Sequence, residues 1–207
     1  MDDTVGNTPL LREDPNTVLR ISDRVFGAEH CAQLRYVAPV LKMRSEPGSD
    51  SFNIPGLHTV DSLGTLLTSV TGEFALGADI KLFSLAKFDA AGLFLQVGLH
   101  KLKFGVEEYG SNKKIVSVHS SPYSDEVNGI EVNDESVRLF ISRSGDVFSC
   151  YLSGSEGAVV FHRAFYVSNC PDEVRVGFSV QSPFSEGAVG EFSRIEISSQ
   201  SMGLIRE

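Results

Sequence analysis

Polar and aromatic side chains recur on one side of several predicted strands, and their types suit the binding of sugar hydroxyl groups. If the strands that carry them are neighbours, six of these side chains share one sheet face: Lys103, Glu107, Arg138, Phe140, Arg175 and Gln181. Planar donors and a carboxylate hydrogen-bond to the hydroxyl groups at the edge of a sugar, and an aromatic ring covers its apolar face. The competing interpretation is an ordinary solvated sheet face with cross-strand ion pairs.

Two further residues are expected at the rim of the same concave surface. His119 stands near the end of its predicted strand, and Asp125 closes the segment SPYSD, residues 121–125. The competing interpretations are a hydrogen-bonded histidine within the sheet and an aspartate that forms an Asx-type turn. With the six residues above, they complete the candidate ligand-binding set.

The familiar catalytic and metal-binding signatures are missing from the sequence. Retaining glucanases with a sandwich fold carry Glu-x-Asp-x-Glu, which places two carboxylates about 5–5.5 Å apart. The nearest approach here is EVNDE at residues 131–135, and the adjacent Glu107 and Glu108 point to opposite faces. The histidines show no HExxH pattern, and no calcium-binding or phosphate-binding loop is present. We therefore predict no catalytic residue, no metal and no cofactor, and an enzymatic role would rest on fold analogy alone.

Alternation of apolar and polar residues predicts a long series of strands from residue 66 onward. The predicted strands cover residues 66–70, 73–83, 92–99, 102–106, 113–119, 137–143, 147–152, 158–167, 174–182 and 190–198. Turn-forming residues such as Ser144-Gly145-Asp146 separate them. About twelve strands and no convincing helix predict an all-β fold, a two-sheet antiparallel β-sandwich or jelly roll.

The first sixty residues are less regular. Residues 1–16 are polar and predict a loose N-terminal arm. Residues 17–23 alternate like a strand, whereas residues 28–43 fit either a short helix or two strands, and we favour strands over 33–37 and 40–44. Residues 45–56 are rich in Pro, Gly, Ser and Asp and predict a surface loop. Residues 17–207 are then expected to form a single β-sandwich domain.

Four short motifs in the second half of the chain resemble one known family. They are FDAAGL at 88–93, KFGVE at 103–107, SPYSD at 121–125 and VGFSVQSP at 176–183. Their order and spacing resemble a concanavalin A-like lectin/glucanase family domain of unknown function, whose fungal members are called regulators of enolase. The resemblance covers about 110 residues, implies a concanavalin A-like sandwich and brings no agreed catalytic residues. Tryptophans common in that family's strands are missing, because the chain contains no Trp.

Charge and sequence composition limit the classes of partner and the cellular compartment that we expect for this protein. The formal net charge of −9 argues against nucleic acid and against acidic lipid surfaces as partners. The N-terminal segment lacks the features of a secretory signal, and no apolar run approaches the length of a transmembrane helix. Three cysteines, an odd number without metal-ligand spacing, favour reduced thiols. We therefore expect a cytoplasmic protein.

Three functional hypotheses follow. The first, which we favour, is a non-catalytic intracellular domain that binds a carbohydrate or sugar-like metabolite on a concave sheet face. The second is a protein-interaction or regulatory module that acts on a metabolic enzyme, and it predicts an exposed apolar patch. The third is a glycoside hydrolase whose carboxylate pair is drawn from Glu107, Asp125 and their neighbours, which requires two carboxylates to converge in one cleft.

Overall fold

Seventeen strands run through the residues that the structure, a computed structural model, describes: 18–21, 23–154 and 157–203. In chain order the strands are β1 Val18–Ile21, β2 Arg24–Glu29, β3 Cys31–Val37, β4 Val40–Ser45, β5 Ser51–Ile54, β6 His58–Asp61, β7 Gly64–Thr71, β8 Phe74–Phe83, β9 Ala90–Val97, β10 His100–Glu108, β11 Lys113–Ser120, β12 Ser124–Val132, β13 Val137–Ser144, β14 Val147–Ser153, β15 Val159–Tyr166, β16 Glu173–Gln181 and β17 Val189–Ser198. The arm expected at 1–16 lies outside the described residues. Within them, no helix has the length and apolar character needed to cross a membrane.

The strands form two large sheets and one small hairpin. The eight-stranded sheet has the order β1-β2-β7-β16-β9-β10-β11-β12, and the seven-stranded sheet has the order β15-β14-β13-β8-β17-β4-β3. Strands β5 and β6 pair only with each other. Every pairing is antiparallel, for example β9 with β10 and β13 with β14. The predicted two-sheet antiparallel sandwich is confirmed.

The core lies between the inner faces of the two sheets. Successive side chains of a strand point to opposite faces, so one alternate set of each strand is turned inward. In β10 that set includes Leu102 and Phe104, both fully buried. Phe178 of β16 meets Phe192 of β17 from the other sheet, with ring centroids 4.9 Å apart. Each such buried side chain contributes on the order of 1.5–3 kcal/mol to folding, which fixes the two sheets against each other.

The N-terminal region supplies strands to both sheets and a cover for one of them. The two predicted strands at 33–37 and 40–44 are confirmed as β3 and β4, and the helical alternative is wrong. The prediction of a loop over residues 45–56 is wrong in part, because β5 and β6 form a hairpin around Pro55-Gly56. Asn53 of β5 ties this hairpin to the eight-stranded sheet, since its backbone N–H donates to Ser124 Oγ at 2.8 Å.

Candidate functional site

A shallow depression lies at the centre of the outer face of the eight-stranded sheet, where small residues replace large ones. Gly92 of β9 is the register partner of Gly105 of β10, and Ser179 of β16 flanks Gly92 on its other side. A Cβ atom on either glycine would lie 2.4 Å from a backbone oxygen of the neighbouring strand, so the position tolerates no side chain. The larger side chains of Lys103, Glu107 and Gln181 also line this depression.

The depression opens into a larger cavity that we call the outer-face pocket. Its volume is about 280 Å³, close to the lower end of the range for small-molecule sites. Strand β10, the end of β16 with the residues that follow it, and the β5–β6 hairpin supply most of its wall, and single residues of β11, β12 and the segment before β9 complete it. The lining residues are Asp50, Phe52, Leu57, His58, Phe88, Lys103, Glu107, Val118, Glu126, Gln181, Pro183 and Phe184.

A chain of polar contacts holds one wall of the pocket in place. The ammonium group of Lys103 lies 2.5 Å from Asp50 Oδ1 and donates to Gln181 Oε1 at 2.7 Å. The Gln181 amide in turn donates to the backbone carbonyl of Phe88 at 3.0 Å. Asp50 and Gln181 are buried, so this network is largely shielded from water and rigid. Among the described residues, no group of three or more His, Cys, Asp or Glu side chains is arranged to hold a metal ion.

Two buried polar atoms of the pocket have no hydrogen-bond partner. They are Glu107 Oε1 and His58 Nε2. His58 Nε2 lies 3.4 Å from Asp50 Oδ2, but this approach lacks the geometry of a hydrogen bond. Burial is the main cause that raises the pKa of Glu107 from 4.5 to about 8, with Lys103 acting in the opposite direction. At neutral pH the Glu107 side chain is therefore mainly a carboxylic acid, able both to donate and to accept.

Aromatic rings form the rest of the pocket wall. The His58 ring stands between Phe52 and Phe184, with ring centroids 6.0 and 5.9 Å away. Phe184 also meets the edge of Phe88 at 6.0 Å. Phe184 is 66% exposed, which is unusual for a large apolar side chain and leaves most of its ring open to a ligand.

The backbone at Phe88 is strained. Its φ of 71° lies in the left-handed region, which bulky residues rarely adopt. The strain is maintained because its N–H donates to the carbonyl of Glu108 at 2.7 Å and its own carbonyl accepts from Gln181. Such strain persists only where the surroundings impose it, and it concentrates at functional sites. The conformation places the Phe88 ring in the wall of the pocket.

The structure brings together three of the eight predicted site residues. Lys103, Glu107 and Gln181 line the outer-face pocket. Arg175 stands on the same strand and face as Gln181 but six residues away, about 20 Å along the strand. There its guanidinium pairs with Glu29 at 2.7 Å.

Arg138 and Phe140 lie elsewhere, and the expectation that their strand neighbours the other two is wrong. Strand β13 belongs to the seven-stranded sheet, between β14 and β8. Arg138 contacts Asp79 at 3.1 Å and Glu196 at 2.7 Å, and its guanidinium lies over the Phe140 ring at 5.0 Å. The sequence shows which residues of one strand share a face, because side chains alternate. It does not show to which of the two sheets a strand belongs, because that depends on pairing with strands far away in the chain.

His119 and Asp125 lie on the other face of the eight-stranded sheet, away from the pocket. His119 pairs with the inward-facing Leu102, and its ring stacks on Phe165 of the seven-stranded sheet at 4.3 Å. Asp125, opposite His119 in β12, contacts Arg163 at 2.7 Å. The placement at a shared rim is therefore wrong. Strand β11 carries apolar residues on both faces, and its central residues are buried on both, so its sequence does not show which side is turned inward.

Sequence reasoning missed several pocket residues: Asp50, Phe52, His58, Phe88 and Phe184. Asp50 and Phe52 fall within residues 45–56, for which the sequence predicts a loop, and His58 follows shortly after it. One signal was available, because Pro55-Gly56 between two short alternating runs is typical of a hairpin turn. Nothing in the sequence shows that this hairpin packs against β10, β11 and β12.

The sequence of residues 31–200 matches the family model described as Protein of unknown function (DUF1349). The chain belongs to this family. The DUF1349 model covers both sheets apart from β1 and β2, and it includes the whole outer-face pocket. A search of the curated proteins finds no match.

Solved structures share the fold of this DUF1349 chain at low sequence identity. A functionally unknown protein from Saccharomyces cerevisiae is 18% identical with a TM-score of 0.73, over 80% of this chain and 90% of the other. The carbohydrate binding module CBM66 from Bacillus subtilis is 15% identical with a TM-score of 0.56, over 84% and 95%. The GH43 protein BlXynB from Bacillus licheniformis is 13% identical with a TM-score of 0.61, over 77% of this chain but only 33% of that one. At these identities the likeness concerns the fold.

Proposed function

We propose that this protein binds a carbohydrate in the outer-face pocket and does not transform it. The observation that carries the proposal is the pair of buried polar atoms without partners, Glu107 Oε1 and His58 Nε2, at one pocket. Leaving a buried polar atom unpaired costs about 1–3 kcal/mol, so a ligand that satisfies both atoms gains that free energy. Sugar hydroxyl groups can do so because each one donates and accepts.

The remaining pocket groups fit the same class of ligand. A sugar ring has polar edges and apolar C–H faces. The acid form of Glu107, the Lys103 ammonium and the Gln181 amide supply polar contacts for the edges. The exposed ring of Phe184 and the strained Phe88 offer flat apolar surfaces for the faces.

The similar structures are consistent with the proposal, but the proposal does not depend on them. One is named as a carbohydrate binding module and another as a GH43 protein. Both are below 25% identical, so their ligands are not transferred to this chain. They do indicate that a sandwich of this type is compatible with carbohydrate binding.

The proposal is tested by a thermal-shift screen of the purified protein against mono- and oligosaccharides and sugar phosphates. A ligand that binds only the native state raises the melting temperature in a saturable manner. Two variants with matched exposure localise the effect. Phe184→Ala removes a ring that is 66% exposed at the pocket, and Tyr166→Ala removes a ring that is 63% exposed on β15 of the other sheet.

We expect the ligand-induced shift to fall strongly in Phe184→Ala and to stay unchanged in Tyr166→Ala. An equal shift in the wild type and both variants would place binding outside the pocket. A flat response at millimolar saccharide would contradict the proposal and favour a protein partner, such as a metabolic enzyme, which affinity capture then tests.

A glycoside hydrolase is the second candidate function, because the pocket holds an acid and a carboxylate together. With its pKa raised to about 8 by burial, Glu107 is mainly protonated at neutral pH, as a general acid must be, and Asp50 stands in the same wall. Asp125, the other residue considered from sequence, faces away from the pocket. The test is the release of nitrophenol from nitrophenyl glycosides. If the wild type releases nitrophenol and Glu107→Gln does not, the protein is a hydrolase rather than a binding domain. No release from sugars that do bind would leave the binding role in place.

A further inference from the structure

Two lysine ammonium groups converge on one tyrosine ring beside the outer-face pocket. Lys87 Nζ lies 4.6 Å from the Tyr109 ring centroid, and Lys114 Nζ lies 4.3 Å from the same centroid. Lys87 Nζ is also 4.6 Å from the Phe88 ring. Cation–π contact holds each ammonium group by on the order of 0.5–1 kcal/mol at an exposed site. Both positive charges are therefore held at the same ring.

Neither lysine is engaged in a salt bridge with another described residue. In the part of the chain that the structure describes, neither ammonium group lies within 4.0 Å of an acidic side chain. Glu131 stands opposite Lys114 in the β11–β12 register, but its carboxylate accepts from the Asn112 side chain at 2.5 Å. Glu108 is likewise engaged, by Ser84 and by the backbone N–H of Gly110.

A third carboxyl group, that of Glu107, stands beside Lys114. Glu107 is the register partner of Lys114 on β10. Because burial raises the pKa of Glu107 to about 8, its side chain is mainly uncharged at neutral pH. Lys87 and Lys114 are therefore left without a salt-bridge partner among the described residues, on a chain whose formal net charge is −9.

The pair of lysines is connected to the pocket through Phe88. The Phe88 ring lines the pocket and meets the Tyr109 ring edge-on, with centroids 5.9 Å apart. Its backbone is held on both sides by hydrogen bonds, at 2.7 Å to Glu108 and 3.0 Å from Gln181. A ligand that occupies the pocket and extends past Phe88 reaches the two ammonium groups.

We infer that the ligand is a saccharide that carries an anionic group, a carboxylate or a phosphate, held by Lys87 and Lys114 beside Tyr109. This inference rests on the proposed function, since it names the class of sugar that the same site takes. Hydrogen bonds between an ammonium group and an oxyanion are about twice as strong as neutral ones. The contact is partly exposed, so its contribution falls as salt screens it.

The experiment compares matched charged and neutral sugars by isothermal titration calorimetry. Trigalacturonic acid is paired with its methyl ester, and glucose 6-phosphate is paired with glucose, so that the carboxylate and phosphate sources are distinguished. Lys87→Met and Lys114→Met remove one charge each and keep an apolar stem against the ring. Lys81→Met is the matched control, because Lys81 also lies near an aromatic ring, Phe83, but belongs to the seven-stranded sheet and pairs with Glu135.

We expect the charged member of at least one pair to bind about tenfold more tightly than its neutral partner. Lys87→Met and Lys114→Met should each abolish most of that difference and leave the affinity for the neutral sugar unchanged. Lys81→Met should alter neither value. Equal binding of charged and neutral sugars, or an equal loss for both in the lysine variants, would overturn the inference while leaving carbohydrate binding intact. Binding of neither member of either pair would overturn it together with the proposed function.

Discussion

Replacing Glu107 by Gln should stabilise the folded protein at neutral pH. The folded-state pKa of Glu107 is raised from 4.5 to about 8, chiefly by burial, so folding favours the protonated form. The unfolded chain loses that proton near pH 4.5, and the contribution of Glu107 to stability is therefore present below pH 4.5 and is lost as the pH rises to about 8. At about 1.4 kcal/mol per pH unit, the loss reaches about 3 kcal/mol at pH 7 and about 5 kcal/mol above pH 8 as upper values. Glutamine has a similar shape and does not ionise.

Urea unfolding of the wild type and Glu107→Gln at pH 5, pH 7 and pH 9 measures this difference directly. The free energy of unfolding of the variant should exceed that of the wild type by less than about 1 kcal/mol at pH 5, and by increasing amounts at pH 7 and pH 9. Glu135→Gln is the control, because pairing with Lys81 lowers the pKa of this exposed carboxyl and its replacement should be slightly destabilising at neutral pH. A difference between Glu107→Gln and wild type that does not change with pH would refute the reasoning.

Three other outcomes follow from the same structure. The saccharide affinity of the wild type should fall above about pH 8, because Glu107 loses its proton there. Glu107→Gln keeps a hydrogen-bond donor and should bind saccharide equally at pH 7 and pH 9. If calorimetry gives the same pH dependence of affinity for both proteins, Glu107 is not the donor to the saccharide. Burial is the main cause that lowers the pKa of His119 to about 4, so the stability that His119 contributes above pH 6.5 is lost as the pH falls toward 4. His119→Phe keeps the stacking on Phe165, and in urea unfolding it should remove about 2 kcal/mol of that loss. An unchanged dependence of stability on acid pH would exclude His119 as the source of the loss. Gly177→Ala should destabilise the protein by about 3 kcal/mol, because the added Cβ would lie 2.0 Å from a backbone oxygen. Gly27→Ala is the control, since its Cβ meets open space and the change should be nearly neutral. Equal melting temperatures of the two variants would show that the sheet relaxes around the methyl group.

The fold was largely predictable because local patterns decide it. Strict alternation in residues 73–83 and 102–106 places one side of each strand in the core, and the structure has β8 and β10 there. The hairpin of β5 and β6 was missed because its strands are short and its composition resembles a loop. Asn53 ties the hairpin to Pro122 and Ser124, about seventy residues away along the chain, and local sequence does not show these contacts.

The candidate site was predictable where strand parity decides which residues face the pocket, as for Lys103 and Glu107 on β10 and Gln181 on β16. Lys103 and Glu107 are four residues apart on β10, so strand parity alone places them on the same face. Arg138 was grouped with them on an assumed strand order that the structure does not have. Asp50 and Phe184 reach the pocket from distant segments, and the left-handed backbone of Phe88 follows from tertiary hydrogen bonds rather than from residue type.

The central claim, that the outer-face pocket binds a saccharide, is tested most directly by mapping backbone amide shifts during a titration with the sugar that gives the largest thermal shift. We expect the largest NMR shift changes on β10 between Lys103 and Glu107 and at Phe184, saturating with the affinity measured by calorimetry. The chemical shifts of the backbone amides around Arg138 on the seven-stranded sheet should not change. Changes centred on that sheet, or none at saturating ligand, would contradict the account.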